Sequence, residues 1–190
     1  MSYLINITDK KPDGMIAQAL ADTIRQATEY FKPDSFGGFW SKGGLAVTVL
    51  APRHVAASNN NSGTLNGGVA GSSAWGVTAV TASTMTNWIN INVDSRAYQI
   101  VTGIFNLTPN AKITAIKPIL NGQEMPLIDI SEMYNYVIPR AYFSEPYIIS
   151  PTNTHQIQVL SPVTLAGVPS EQIGLTGFIV GKRAYAIATS

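Results

Sequence analysis

The sequence predicts a mainly β protein in which one amphipathic helix precedes a long succession of strands. Three observations support this. From Leu45 onward, short apolar or alternating runs recur at spacings of about 8–12 residues. Clusters of Pro, Gly and Asn separate these runs, as turns separate antiparallel strands. The chain has 190 residues, which suits one domain with a substantial core. We therefore expect an all-β sandwich of about eight to ten strands over residues 45–190.

Residues 13–31 carry the only clear helical pattern of the sequence. Asp13 is expected to be the N-cap, because its carboxylate can accept hydrogen bonds from the first turn. Pro33 is expected to end the helix. An apolar stripe follows helical spacing and comprises Ile16, Leu20, Ile24, Ala27 and Phe31. We expect this stripe to pack on the protein's own sheet, and a neighbouring subunit is the alternative.

Residues 1–44 are expected to form an N-terminal arm, the helix and a connector rich in Gly and aromatic residues. The arm contains Tyr3-Leu4-Ile5-Asn6-Ile7, which we expect to be a strand of its own domain; an arm that reaches a neighbouring subunit is the alternative. The connector over residues 36–44 lacks the G-x-x-x-x-G-K-[ST] order, so it is not a phosphate-binding loop. The strongest loop pattern lies between Ser58 and Gly68.

The strand pattern and the chain length together favour a jelly roll. An immunoglobulin-like sandwich is less suitable, because its Cys…Trp…Cys landmarks are missing. Asn121-Gly122 predicts a type I′ hairpin turn, residues 166–170 predict a turn, and Ser131–Tyr134 predicts a short helical turn. We predict strands over residues 45–51, 75–83, 86–93, 97–107, 112–120, 124–130, 139–143, 147–150, 155–160 and 173–189, the last as one strand or two.

The sequence contains no recognisable catalytic or metal-binding pattern. Cysteine is absent, which excludes disulfides and thiolate chemistry. His54 and His155 are unpaired and about a hundred residues apart, so we expect no metal site. No spacing pairs the available carboxylates for acid–base catalysis; these are Glu124, Asp129, Glu132, Glu145 and Glu171. We expect neither enzymatic activity nor a cofactor, and a hydrolase or isomerase on the same fold is the alternative.

Charge is sparse throughout the chain. Charged residues make up only 12% and the formal net charge is +1. The chain therefore lacks the strong positive charge typical of nucleic-acid-binding proteins. There is also no run of 18 or more apolar residues, so we expect no transmembrane helix. The low charge favours a surface that neighbouring molecules cover in part.

Two groups of apolar or aromatic residues are candidates for subunit interfaces. The first is the helical stripe, and the second is a local cluster of tyrosines after residue 130. Tyrosine is favoured at interfaces because it combines a broad apolar face with a polar tip. For the tyrosines, packing at one end of the sandwich is the preferred interpretation, and contact with a sugar or a neighbouring protein is the alternative. The interface candidates are Ile16, Leu20, Ile24, Phe31, Tyr134, Tyr136, Tyr142 and Tyr147.

Residues 45–189 resemble viral single jelly-roll capsid proteins and related virion structural proteins. The resemblance rests on a series of strands and turns that ends with Glu145-Pro146-Tyr147-Ile148-Ile149 through Gly177-Phe178-Ile179-Val180-Gly181. The composition is also similar, with few charges, no Cys and many Thr, Ser, Asn and Gly residues. The chain departs from many such proteins in having no basic N-terminal arm.

This resemblance implies a capsid or capsid-associated subunit that self-assembles and resides in the virion. Its partners would be copies of itself and other virion proteins. Without a basic arm, we expect no direct contact with nucleic acid. A position near an internal membrane or a second protein layer would suit such a subunit. The alternative is a carbohydrate- or receptor-binding sandwich of a tail, fibre or cell-surface assembly, with Ser58–Gly68 as the glycan or receptor loop.

Overall fold

Antiparallel strands dominate the computed structural model, which describes residues 7–31, 44–55 and 75–186. The helices are α1 (Asp13–Tyr30) and the single-turn α2 (Arg183–Ala186), and 3₁₀ turns occupy Pro52–His54 and Ser131–Asn135. The strands are β1 (Ile7–Thr8), β2 (Leu45–Val49), β3 (Val77–Val80), β4 (Thr86–Asn92), β5 (Ala97–Asn106), β6 (Ala115–Leu120), β7 (Gln123–Glu124), β8 (Ile128–Asp129), β9 (Arg140–Ile149), β10 (Thr154–Leu160), β11 (Leu165–Glu171) and β12 (Ile173–Lys182).

The strands form two five-stranded sheets and a small ribbon. The first sheet has the order β1-β9-β5-β12-β2, so β1 and β2 lie at its opposite edges. The second sheet has the order β4-β10-β6-β7, and β8 also pairs with β6. Strands β3 and β11 form a separate two-stranded ribbon. The protein is therefore mainly β with antiparallel sheets, as the sequence predicts.

The two sheets share one hydrophobic core in a sandwich-like arrangement. Alternation along β10 shows how the sequence builds it, because His155, Ile157 and Val159 are buried while the residues between them are partly exposed. The first sheet contributes Val101 and Ile104 of β5 to the same buried cluster. Each sheet therefore buries one face against the other.

Helix α1 packs on the opposite face of the first sheet, against β5, β9 and β12. Its buried Ala27 and its C-cap residue Phe31 form a small second cluster with Tyr98 and Val180 of the sheet. This end of the apolar stripe therefore packs on the sheet of its own subunit, as the sequence predicts. Because of α1, the central strand β5 is buried on both faces.

Three predicted boundaries are wrong. Asp13 is the first residue of α1 and not its N-cap, which is Pro12, and Asp13 instead pairs with Lys11 at 2.8 Å. The strands predicted over residues 139–143 and 147–150 form one continuous strand, β9, whose register with β5 shifts between Val101 and Gly103. The last predicted strand ends at Lys182, where the backbone enters α2.

Two further elements differ from the predicted pattern in the middle of the chain. Residues 166–170, predicted as a turn, belong to β11, which pairs irregularly with β3. The region predicted as one strand over residues 124–130 contains β7 and β8, which pair side by side with β6. The first error arises because pairing with the distant strand β3 overrides the local turn preference. The second arises because the strand pairing with β6 is interrupted between β7 and β8, which divides the predicted strand in two.

The hairpin between β6 and β7 is confirmed. Asn121 and Gly122 have φ values of 52° and 77°, the two positive angles that a type I′ turn requires. The helical turn predicted at Ser131–Tyr134 is also confirmed, as a 3₁₀ turn. Pro33, residues 36–43 of the connector and the Ser58–Gly68 loop lie outside the described residues.

Candidate functional site

A chain of polar side chains crosses the core between the two sheets. Gln99 of β5 donates from Nε2 to the carbonyl oxygen of His54 at 2.8 Å. Its Oε1 accepts a hydrogen bond from Nδ1 of His155 on β10, also at 2.8 Å. Since an amide oxygen only accepts, His155 carries its proton on Nδ1. The three residues therefore fix the two sheets relative to each other.

Two polar atoms beside this chain lack hydrogen-bond partners in the described part of the structure. They are Nε2 of His155 and the hydroxyl of Tyr147, both fully buried. Their rings meet edge to face with centroids 6.0 Å apart. Burial lowers the pKa of His155 to about 3 and raises the pKa of Tyr147, because an apolar interior disfavours the charged form of each. His155 is therefore a neutral structural residue near pH 7.

The second histidine is also held neutral. His54 ends a 3₁₀ turn, and its Nδ1 accepts the backbone N–H of Ala51 at 3.0 Å. Burial, and then the positive charge of Arg53, lower the pKa of His54 to about 4. The ring lies 5.7 Å from that of Tyr185, whose pKa burial raises to about 12. His54 and His155 thus serve the packing of the core.

These two histidines predict acid sensitivity. Stability should be fully present above pH 6.5, the ordinary histidine pKa, and should fall as the pH drops toward 4, because the unfolded chain binds protons that the folded chain excludes. Each histidine contributes up to about 1.4 kcal/mol per pH unit in this window. Urea unfolding between pH 7.5 and 4.5 measures the slope.

The matched variant is His155→Gln, which keeps a donor for Gln99 but does not titrate. We expect it to remove about half of the slope between pH 6.5 and 4.5. An unchanged slope in this variant would show that His155 is not the group responsible.

A buried carboxylate organises the end of the core near β11. Glu171 is only 2% exposed, and its Oε2 accepts from Nδ2 of Asn106 at 2.6 Å. Its Oε1 accepts the backbone N–H groups of Lys112 and Ile113 at 2.5 and 3.3 Å. The hydroxyl of Tyr134 donates to the carbonyl of Ile113 at 2.5 Å. Glu171 therefore anchors the segment that leads into β6.

A strip of uncovered apolar side chains lies on the edge strand β2. Val47 pairs with Val180 and Val49 with Phe178, so both valines are on the face that α1 covers. They nevertheless remain 43% and 66% exposed. We call Val47 and Val49 the edge strip. Their alternation with Ala46 and Thr48 was visible in the sequence, but the sequence did not show that β2 would lie at an edge.

At the opposite edge of the same sheet, a surface cavity of about 450 Å³ lies beside β1 and the start of β9. Tyr136 and Tyr142 line it together with Asp9, Asn135 and Arg140. Val137 and Ile138 also line it and are highly exposed. We call this the tyrosine pocket. Only its two tyrosines were singled out from the sequence.

The predicted interface residues divide into buried and accessible positions. Ile16, Phe31 and Tyr147 are buried within the subunit, and Leu20, Tyr134, Tyr136 and Tyr142 are partly buried. Ile24 is 37% exposed on α1. The structure thus brings Tyr136 and Tyr142 together in the tyrosine pocket and places Tyr147 in the core. An interface role for the accessible members stays a prediction.

The carboxylates considered from the sequence are dispersed. Glu171 is buried in its hydrogen-bond network, whereas the side chain of Glu124 pairs with Lys117 on the neighbouring strand. Within residues 7–31, 44–55 and 75–186, no group of three or more His, Asp or Glu side chains is arranged to hold a metal ion. None of the described helices is long and apolar enough to cross a membrane.

The chain matches no protein-family model, no curated protein and no solved structure.

Proposed function

We propose that this protein is a structural virion protein, a capsid or capsid-associated subunit that acts by self-assembly. The observation that carries the proposal is the edge strip on β2. An edge strand presents unpaired backbone groups, and proteins that remain monomeric commonly protect it with charge, Pro or a covering element. Strand β2 contains no charged residue and no Pro, and two of its five side chains are exposed valines.

A second copy of the chain is the occupant that this edge suits. Among the described strands β2 pairs with β12 alone, so its exposed valines and its outer N–H and C=O groups offer both hydrophobic burial and strand pairing. Closed assemblies of identical subunits use the same patch repeatedly, which adds many weak contacts into a stable particle. The low charge of the chain, 12% of residues, favours such close contact.

We also propose that the sandwich is a jelly roll. Its support is the nested order of strand pairing, in which β2 pairs with β12, β3 with β11, β4 with β10, β5 with β9, and β6 with β8 and β7. These pairs describe one long antiparallel ribbon. The additional pairings β5–β12 and β6–β10 fold this ribbon back on itself into two sheets. Such winding is the characteristic topology of an eight-stranded jelly roll.

The size distribution of the purified protein tests the assembly proposal. We expect the wild-type chain to form rings, shells or filaments in electron microscopy and light scattering. The double variant Val47→Lys/Val49→Lys should shift the population to single subunits, because two ammonium groups would be buried without partners at each contact. Its circular dichroism spectrum should remain that of the wild type, since both side chains are exposed.

Val163→Lys is the matched control. Val163 is 44% exposed, close to the value for Val47, and lies in the segment between β10 and β11. This variant should assemble as the wild type does. A wild-type protein that stays strictly monomeric at high concentration would overturn the proposal. Assembly of the double variant at the wild-type level would show that the edge strip is not the contact.

A further inference from the structure

The tyrosine pocket has the size and shape of a small-molecule site. Its volume of about 450 Å³ lies within the range of about 300–1,000 Å³ that such sites occupy. Ile7 and Thr8 of β1 pair with Phe143 and Tyr142 of β9, which fixes the wall that carries Tyr142. Tyr136 follows the 3₁₀ turn Ser131–Asn135, whose Met133 is fully buried in the core. Both tyrosines are therefore held by well-packed elements.

The polar groups of the pocket are available to a ligand. Asp9 and Arg140 form no ion pair within the described parts of the chain. The side chains of Asn135, Tyr136 and Tyr142 likewise form no hydrogen bond there with another described residue. The pocket thus combines a carboxylate that accepts, a guanidinium that donates, and an amide and two hydroxyls that do both.

This combination selects against simple ions. The carboxylate of Asp9 opposes binding of an anion such as phosphate, and the guanidinium of Arg140 opposes a cation. The lining is mixed and does not suit a lipid chain, because Asp9, Asn135 and Arg140 lie among its apolar surface and would lose water there without gaining a hydrogen bond. A ligand without net charge whose groups both donate and accept suits this lining.

A sugar ring meets these requirements. Each hydroxyl of a pyranose is at once a donor and an acceptor, so adjacent hydroxyls can bind a carboxylate and a guanidinium together. The C–H face of the ring is apolar and fits against a tyrosine ring, whose hydroxyl remains free to hydrogen bond. Val137 and Ile138 add apolar area at the rim, where they are 104% and 61% exposed.

We propose that the tyrosine pocket binds a neutral oligosaccharide through Tyr136, Tyr142, Asp9 and Arg140. This activity is separate from assembly. The pocket lies at the β1 edge of the first sheet, whereas the edge strip lies at the β2 edge. A subunit can therefore assemble through one edge and hold a glycan at the other.

The test uses the wild-type chain of 190 residues on an array of neutral and sialylated oligosaccharides, followed by calorimetric titration with the strongest neutral binder. We expect Tyr136→Ala and Arg140→Ala each to weaken binding by at least about tenfold, which corresponds to about 1.4 kcal/mol. Tyr136 packs partly against the main core, so the circular dichroism spectrum of Tyr136→Ala is compared with that of the wild type, whereas Arg140 is exposed and its truncation tests the pocket without a packing change. Tyr142→Phe should bind more tightly than Tyr142→Ala, because phenylalanine keeps the apolar face of the ring.

Tyr30→Ala is the control, since Tyr30 is 55% exposed on α1 and does not line the pocket. It should bind within about twofold of the wild type. The double variant Val47→Lys/Val49→Lys should keep full binding while assembly is lost, which separates failure of this proposal from failure of the assembly proposal. Absence of binding to every neutral glycan, binding confined to sialylated glycans, or equal binding by the pocket variants would overturn it.

Discussion

Replacing Gly177 with valine is expected to leave no cooperatively folded protein. Strand β12 lies between β5 and β2, and Gly177 sits where its register with β5 shifts. A Cβ at this position would lie 2.0 Å from the carbonyl oxygen of Ile100 and 3.1 Å from the Cα of Val101. Both are backbone atoms of a paired central strand, so they cannot move aside. We expect a loss above about 5 kcal/mol, which is the whole stability of a marginally stable domain.

Circular dichroism and thermal unfolding measure this effect. Gly14→Ala is the control, because Gly14 lies in α1 and a Cβ there would meet nothing within 4 Å. Alanine is also the better helix former, so this variant should be as stable as the wild type or slightly more stable. A Gly177→Val protein with a cooperative transition near the wild-type temperature would show that β12 does not occupy the position described.

Replacing Glu171 with alanine is expected to destabilise the protein by an amount on the order of 3 kcal/mol. The carboxylate accepts hydrogen bonds from Asn106 and from the backbone N–H groups of Lys112 and Ile113. Truncation would leave the buried N–H of Ile113 without this acceptor and would leave the amide of Asn106 only its contact with the hydroxyl of Tyr134. A buried donor that loses its partner costs about 1–3 kcal/mol. The midpoint of urea unfolding at pH 7 measures the loss.

Two companion variants distinguish the network from a general effect of removing charge. Glu171→Gln keeps the shape and one accepting oxygen, so we expect it to lose only about 1 kcal/mol. Glu132→Ala removes an exposed carboxylate and should change stability by less than about 0.5 kcal/mol. Equal losses in Glu171→Ala and Glu132→Ala would contradict the proposed role of the buried carboxylate.

The candidate sites were only partly visible in the sequence. Tyr136 and Tyr142 were recognised because aromatic residues cluster between residues 134 and 147. Asp9 was not recognised as their neighbour, because the pairing of β1 with β9 joins positions more than 130 residues apart. Val47 and Val49 could not be distinguished from other strand residues, because the strand pattern is the same for a central strand and an edge strand. The order of the sheet supplies that information.

Glu171 shows the same difference for the core. In the sequence it was one of several unpaired acids beside a predicted turn. In the structure it is buried, because β11 pairs with β3 and brings it to the backbone of Lys112 and Ile113. A charge can lie inside only when hydrogen-bond partners replace water, and those partners come from another part of the chain.

The sequence by itself determined the features that depend on neighbouring residues. The helical spacing of the α1 stripe, the Asn121-Gly122 turn and strands β4, β5, β6 and β10 follow from local side-chain periodicity and allowed backbone angles. Only the tertiary structure decided which strands pair, which edge stays open and which polar groups meet, as in the contact between Gln99 and His155. These features depend on contacts between distant segments, whose free energy comes from burial and hydrogen bonding across the core and which leave no local periodicity in the sequence.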